Sequence, residues 1–88
     1  MNDHISLDRL SVGDTATVCA VRGDISMAQR LRDIGLSDGT TVRCVMKSPL
    51  GDPTAYIIRG AVIALRREDS RNVTVRISDA EAEYEAEE

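Results

Sequence analysis

The stretch Arg30-Leu31-Arg32-Asp33-Ile34-Gly35-Leu36-Ser37-Asp38-Gly39-Thr40-Thr41-Val42 decides the fold. It reads as a helix ending, a tight turn and a strand beginning. Gly35 is placed to end the helix in the left-handed conformation, and Gly39 lets the chain reverse before a β-branched run. Just upstream, Ser26-Met27-Ala28-Gln29 has the form of a capping box, in which Ser26 accepts from a backbone N–H and Gln29 reaches back, so the helix is predicted to start there. Met27, Ala28, Leu31 and Ile34 recur at helical spacing and mark its buried face, whereas Gln29, Arg30, Arg32 and Asp33 point elsewhere. Leu36 then falls where it can close against Leu31.

Around this unit the sequence alternates as strands do. Leu7 and Leu10 suggest a short entry turn closing one end of the core. Residues 14–21 favour a strand with Ala16 and Val18 on one face and Thr15 and Thr17 on the other. Residues 40–47 place Val42, Cys44 and Met46 on one side, with Thr41, Arg43 and Val45 opposite. A rigid turn, Pro49-Leu50-Gly51-Asp52-Pro53, leads into a strand over 54–59; Gly60 permits a reversal, and 61–66 continues as another strand. Arg67-Glu68-Asp69-Ser70 reads as one helical turn, and 72–77 closes with Val73, Val75 and Ile77 on one face. Five short strands and one inserted helix fit a small barrel better than a sandwich, because 88 residues cannot fill two full sheets.

The expected organisation is one domain over 1–78 followed by an acidic, disordered tail over 79–88. With no Trp, no Phe and two Tyr, the core must be aliphatic. The net charge of −4 hides an asymmetry: six of the fifteen acids lie in the last ten residues, and none of the eleven basic residues does. In that tail Glu81 with Glu85, and Glu83 with Glu87, set like charges one helical turn apart, which opposes helix. The longest apolar run, Ala61 to Leu65, is far short of the roughly 20 residues that cross a bilayer. The N-terminus lacks the features of a secretory signal, and a cytoplasmic protein is expected.

Few reaction chemistries fit. The scattered glycines form no phosphate-cradling motif. His4, the only histidine, lies in a polar stretch near the chain end and is expected to be mobile and exposed. Cys19 and Cys44 sit in strand-like runs and are expected to be free buried thiols. Zinc needs about four converging ligands, and no C-x-x-C or H-x-x-x-H spacing occurs. Arg43, Arg59, Arg66, Arg67, Arg71 and Arg76 could hold phosphate, but few aromatic rings are available for base stacking. Their expected role is to cover apolar surface with their stems and to discourage edge pairing. Leu50, in a polar turn, either anchors a partner or folds back onto the barrel rim.

The ordered set Arg30-Leu31, Gly35-Leu36, Gly39, Pro49-Leu50-Gly51-Asp52-Pro53 and Ala64-Leu65-Arg66 resembles the FeoA family over roughly Ile5 to Ile77. That resemblance implies a mainly β, SH3-like barrel with an inserted helix. It also implies a small cytosolic accessory protein of ferrous iron transport, held at the inner membrane face through a FeoB-type transporter whose cytosolic part carries a G-protein domain. Two departures stand out: Asp38 occupies a turn position that in the family is commonly Pro, and the acidic tail extends the usual short barrel. Similar barrels occur as C-terminal domains of metal-dependent transcription regulators; no DNA-binding helical domain precedes the barrel here, which favours the accessory reading.

The expectation is therefore a non-enzymatic interaction module without a cofactor. It docks on the FeoB-type transporter through Arg30 and Arg32 on the helix and Leu50 and Asp52 on the loop, and binds no nucleic acid. The alternative is a regulatory domain that binds a transition metal directly through Cys19, Cys44 or the tail. Oligomeric state is left open.

Overall fold

The computed structural model describes residues 4–77. Six strands, β1 (His4–Ser6), β2 (Thr15–Val21), β3 (Thr41–Lys47), β4 (Thr54–Ile58), β5 (Ala61–Leu65) and β6 (Val73–Ile77), form one antiparallel sheet in the order β1-β6-β2-β3-β4-β5. A single 3-10 turn, Leu7–Arg9, follows β1; helix α1 (Ile25–Asp33) joins β2 to β3, and the short α2 (Arg67–Ser70) joins β5 to β6. The five expected strands are all present. The sixth is β1, which pairs with β6 through His4 opposite Arg76, so the N-terminal stretch expected to be mobile is tied into the sheet from His4. Strands β1 and β5 lie at opposite edges, and the sheet does not close into a complete barrel. The tail expected over 79–88 lies outside the described residues.

Helix α1 starts two residues earlier than the capping-box reading placed it. Asp24 is the N-cap, its carboxylate accepting from the Met27 N–H at 2.8 Å. Ser26 lies inside the helix, and Gln29 donates instead to Asp33 at 3.0 Å. The physical reason is that a carboxylate caps at least as well as a hydroxyl, and Gly23 lets the chain turn directly before it. At the other end Leu36 N–H donates to Leu31 O (3.1 Å) and Gly35 N–H to Arg32 O (2.9 Å), the two bonds of a Schellman motif. Gly35 takes φ +111, as that motif requires.

The following turn docks on the sheet. Thr40 N–H bonds Ser37 O at 3.0 Å, and Val18 exchanges two bonds with the turn: Gly39 N–H to Val18 O and Val18 N–H to Thr40 O, both 2.8 Å. Helix exit, turn and strand entry are thus one hydrogen-bonded unit anchored on β2.

The core gathers Leu7, Leu10, Ala16, Val18, Leu31, Leu36, Val42, Cys44, Tyr56, Ile58, Leu65, Val73 and Val75, packed against Met27 of α1 and Ile34 at its C-cap. Leu7 and Leu10 close one end as expected, each fully buried and each contributing about 1.5–3 kcal/mol of transfer free energy. Two irregularities correct the alternation read from the sequence. Between Cys44 and Met46 the β3–β4 register shifts by one residue, so Met46 turns outward and is exposed rather than sharing the core face of Val42 and Cys44. Between Val18 and Ala20 the β2–β6 register shifts likewise, leaving Cys19 half-buried rather than buried. Thr15, assigned to the outer face, is also buried, while Ile77 at the end of β6 is exposed.

Candidate docking surface

Leu50 sits on a loop that its own backbone holds in place. Gly51 N–H donates to Ser48 O at 2.8 Å with Gly51 at φ +85, and Ser48 N–H donates to Pro53 O at 3.1 Å across the loop base. Thr54 Oγ1 donates to Gly51 O at 3.3 Å. Of the two alternatives for Leu50, the exposed one holds: its side chain is 92% exposed and does not fold back onto the sheet.

Asp52, two residues on, has one carboxylate oxygen engaged within the fold. Its Oδ1 accepts from the Arg67 N–H at 2.9 Å, satisfying a donor at the start of α2 that no residue within the turn could reach. From α1, Arg30 Nη2 reaches Asp69 Oδ1 of α2 at 3.1 Å. That pair is largely solvated on the arginine side and contributes about 0–1 kcal/mol. Its value is positional, since it fixes α1 against α2. The four sequence-selected residues therefore fall into two kinds. Arg30 and Asp52 are bonded to α2; the side chains of Leu50 and Arg32 are exposed and make no hydrogen bond or ion pair with any described residue.

Sequence reasoning missed the organiser of this face, α2. Residues 67–70 were recognisable as a helical turn, but the partners of Arg67 and Asp69 lie 15 and 39 residues away. No local pattern encodes such pairings. Asn72 adds to the same seam, its Nδ2 donating to Glu68 O at 2.8 Å while lying 3.0 Å from Met27 Sδ on α1.

The remaining candidate chemistry is dispersed. Cys44 is buried, and burial pushes its thiol above the usual range, which opposes the thiolate that a metal or a nucleophilic role would require. Cys19 lies at the β2 irregularity with its Sγ 3.6 Å from Thr17 O. Among the described residues no group of three or more His, Cys, Asp and Glu comes together. The six arginines weighed for phosphate lie on β3, the β4–β5 hairpin, both ends of α2 and β6, rather than along one groove. No helix among the described residues is long and apolar enough to cross a membrane.

Comparison with known proteins agrees with this architecture. Residues 5–77 match the FeoA domain family. The FeoA protein from Chlorobium tepidum is 33% identical, with a TM-score of 0.77 over 83% of this chain and 70% of that one. The FeoA-like protein from Clostridium acetobutylicum is 25% identical, with a TM-score of 0.80 over 88% and 90%. Stenotrophomonas maltophilia FeoA, solved with zinc and described as a prokaryotic SH3 domain protein, is 29% identical, with a TM-score of 0.69 over 86% and 92%. A comparison with curated proteins gives no match.

Proposed function

Because the chain belongs to the FeoA domain family, whose members are associated with ferrous iron transport, we propose that it is a non-enzymatic accessory that docks on the cytosolic region of a FeoB-type transporter. The observation that carries this reading is Leu50. A large apolar side chain held in water on a loop hydrogen-bonded at its tip, its base and its flank is pre-organised for burial against another protein. Ordering costs have been met within the fold, so contact area converts to affinity with less loss.

Contact falls to Leu50 and Arg32. Arg30 and Asp52 hold α1, α2 and the loop in the arrangement that presents them. Arginine and an isolated apolar anchor are residue types suited to such interfaces. The chain would act at the inner membrane face through its partner, without inserting in the bilayer. Direct transition-metal binding, the other reading, gains no support from Cys44, whose buried and protonated thiol is a poor ligand.

A pull-down against the FeoB cytosolic region tests the assignment. The double variant Arg30→Glu with Leu50→Asp should lose retention; retention equal to the unaltered chain removes this surface.

A further inference from the structure

Strand β5 ends the sheet on one side and pairs with β4 alone. The two-residue turn Arg59-Gly60, with φ +52 and +86, makes Ile58 and Ala61 a hydrogen-bonded pair of the ladder. The register then runs unbroken to Thr54 opposite Leu65, so Ala61, Ile63 and Leu65 are the positions of β5 bonded to β4. Val62 and Ala64 therefore aim their N–H and C=O groups away from β4. Neither makes a hydrogen bond elsewhere among the described residues. Proteins blunt such an edge with a charge, a proline, a bulge or a very short strand. None of these occurs within Ala61–Leu65, whereas β1, at the opposite edge, has three residues.

The same two residues finish rows of side chains on the outer face of the sheet. Arg43, Ile57 and Val62 lie in one cross-strand row, and Met46, Ala55 and Ala64 in the next. Val62 is 66% exposed and Met46 61%, so this face meets water as an apolar surface running out to the edge. Its charge is one-sided. Over 41–67 the chain carries Arg43, Lys47, Arg59, Arg66 and Arg67 against one acid, Asp52, whose carboxylate accepts the Arg67 N–H. Arg59 and Arg66 stand just beyond the two ends of β5, and both are exposed.

We propose that β5 is a strand-addition site for an extended segment of a partner protein, apolar at two alternate positions and acidic on both flanks. The outward backbone groups of Val62 and Ala64 pair with the incoming strand, and its apolar side chains extend the two rows. Its carboxylates meet Arg59 at one end and Arg66 at the other. A second copy of this chain is a worse occupant. The register that pairs Val62 with Ala64 reciprocally about a two-fold axis sets Arg59 of each copy against Arg67 of the other, placing like charges together at both ends. The site uses neither Leu50 nor Arg32 and does not rest on the transporter-docking reading.

The test titrates the full chain with the end-blocked peptide Asp-Glu-Val-Thr-Val-Glu-Asp and follows backbone amides by NMR. Saturation should slow hydrogen exchange at Val62 and Ala64 at least about tenfold, and roughly 0.5 M salt should weaken binding. The same peptide with Lys in place of each acid should bind at least about tenfold more weakly. Val62→Pro should abolish binding while sparing the β4–β5 ladder, because the lost N–H faces outward. Arg59→Glu with Arg66→Glu, which leaves every ladder bond in place, should weaken binding at least about tenfold. Absence of protection at Val62 and Ala64 under millimolar acidic peptide overturns the proposal, as does equal binding of the two peptides. So does concentration-dependent protection of those amides in the free chain, which makes the occupant a second copy. Broadening of the same amides by phosphatidylglycerol vesicles, with no response to peptide, also overturns it, since the surface would then be one for lipid.

Discussion

The Asp52 carboxylate accepts the Arg67 backbone N–H at 2.9 Å, joining the Leu50 loop to α2 across fifteen residues of sequence. This bond ties the loop to α2, in addition to the loop's own hydrogen bonds at its tip and base. Removing it with Asp52→Ala should cost about 1 kcal/mol, the usual loss when a helix-start donor is left to water. For a domain of this size a fall in Tm of roughly 4–8 °C by calorimetry is expected. Transporter binding should weaken with it, although Asp52 itself makes no contact in the proposed complex.

Gly35 answers to two constraints at once, and each should show separately. Gly35→Ala places a Cβ at positive φ and within 2.7 Å of Arg59 Cδ and 3.0 Å of Ile58 Cγ2. The backbone part costs about 1 kcal/mol and the crowding adds about 1–3 kcal/mol. In an Arg59→Gly background the penalty should fall, because the nearest atom is gone. A denaturant-unfolding double-mutant cycle measures that coupling, and a cycle without coupling contradicts the packing described.

The helix start gives a discriminating pair. Asp24→Ala should destabilise by about 1 kcal/mol, through loss of the bond to Met27 N–H, while Ser26→Ala should change stability by less than about 0.5 kcal/mol. The capping-box reading requires the reverse order. Urea midpoints of the two variants decide between them.

Tyr56 predicts the alkaline limit of the fold. Its side chain is 1% exposed, its hydroxyl donates to Leu7 O at 3.4 Å, and burial pushes its pKa up to about 12 from 10.0. Above pH 10 the unfolded chain sheds this proton while the folded one keeps it, so stability falls with rising pH through the window from 10 to 12. The loss should approach about 2–3 kcal/mol at its upper end. Cys44, raised from 9.0 by burial, acts in the same direction from a lower onset. Tyr56→Phe should flatten the decline above pH 10 in thermal melts, at the expense of the bond to Leu7.

Much of the fold was legible because its signals are local. Gly35 and Leu36 closed the helix as their spacing implied, and five strands appeared where apolar and polar residues alternate. What alternation could not show were the two register shifts, since the residues inserted at Cys19 and Val45 look like any others in a strand. Strand β1 escaped because its stability comes from pairing with β6, not from its own polar residues. The docking face was half legible. Leu50 stood out as an apolar residue in a polar turn, whereas the roles of Arg30 and Asp52 depend on Asp69 and Arg67, which only the folded chain brings near.

The central claim is that Leu50 and Arg32 contact a FeoB-type cytosolic region while the α1–α2 seam holds them in place. Calorimetric titration of that region with Leu50→Asp and Arg32→Glu tests it most directly, because both side chains are exposed and their replacement should leave Tm unchanged. The account predicts affinity losses of at least about tenfold for each, equivalent to about 1.4 kcal/mol. Unaltered affinity in both variants, with binding intact in the parent chain, would contradict it.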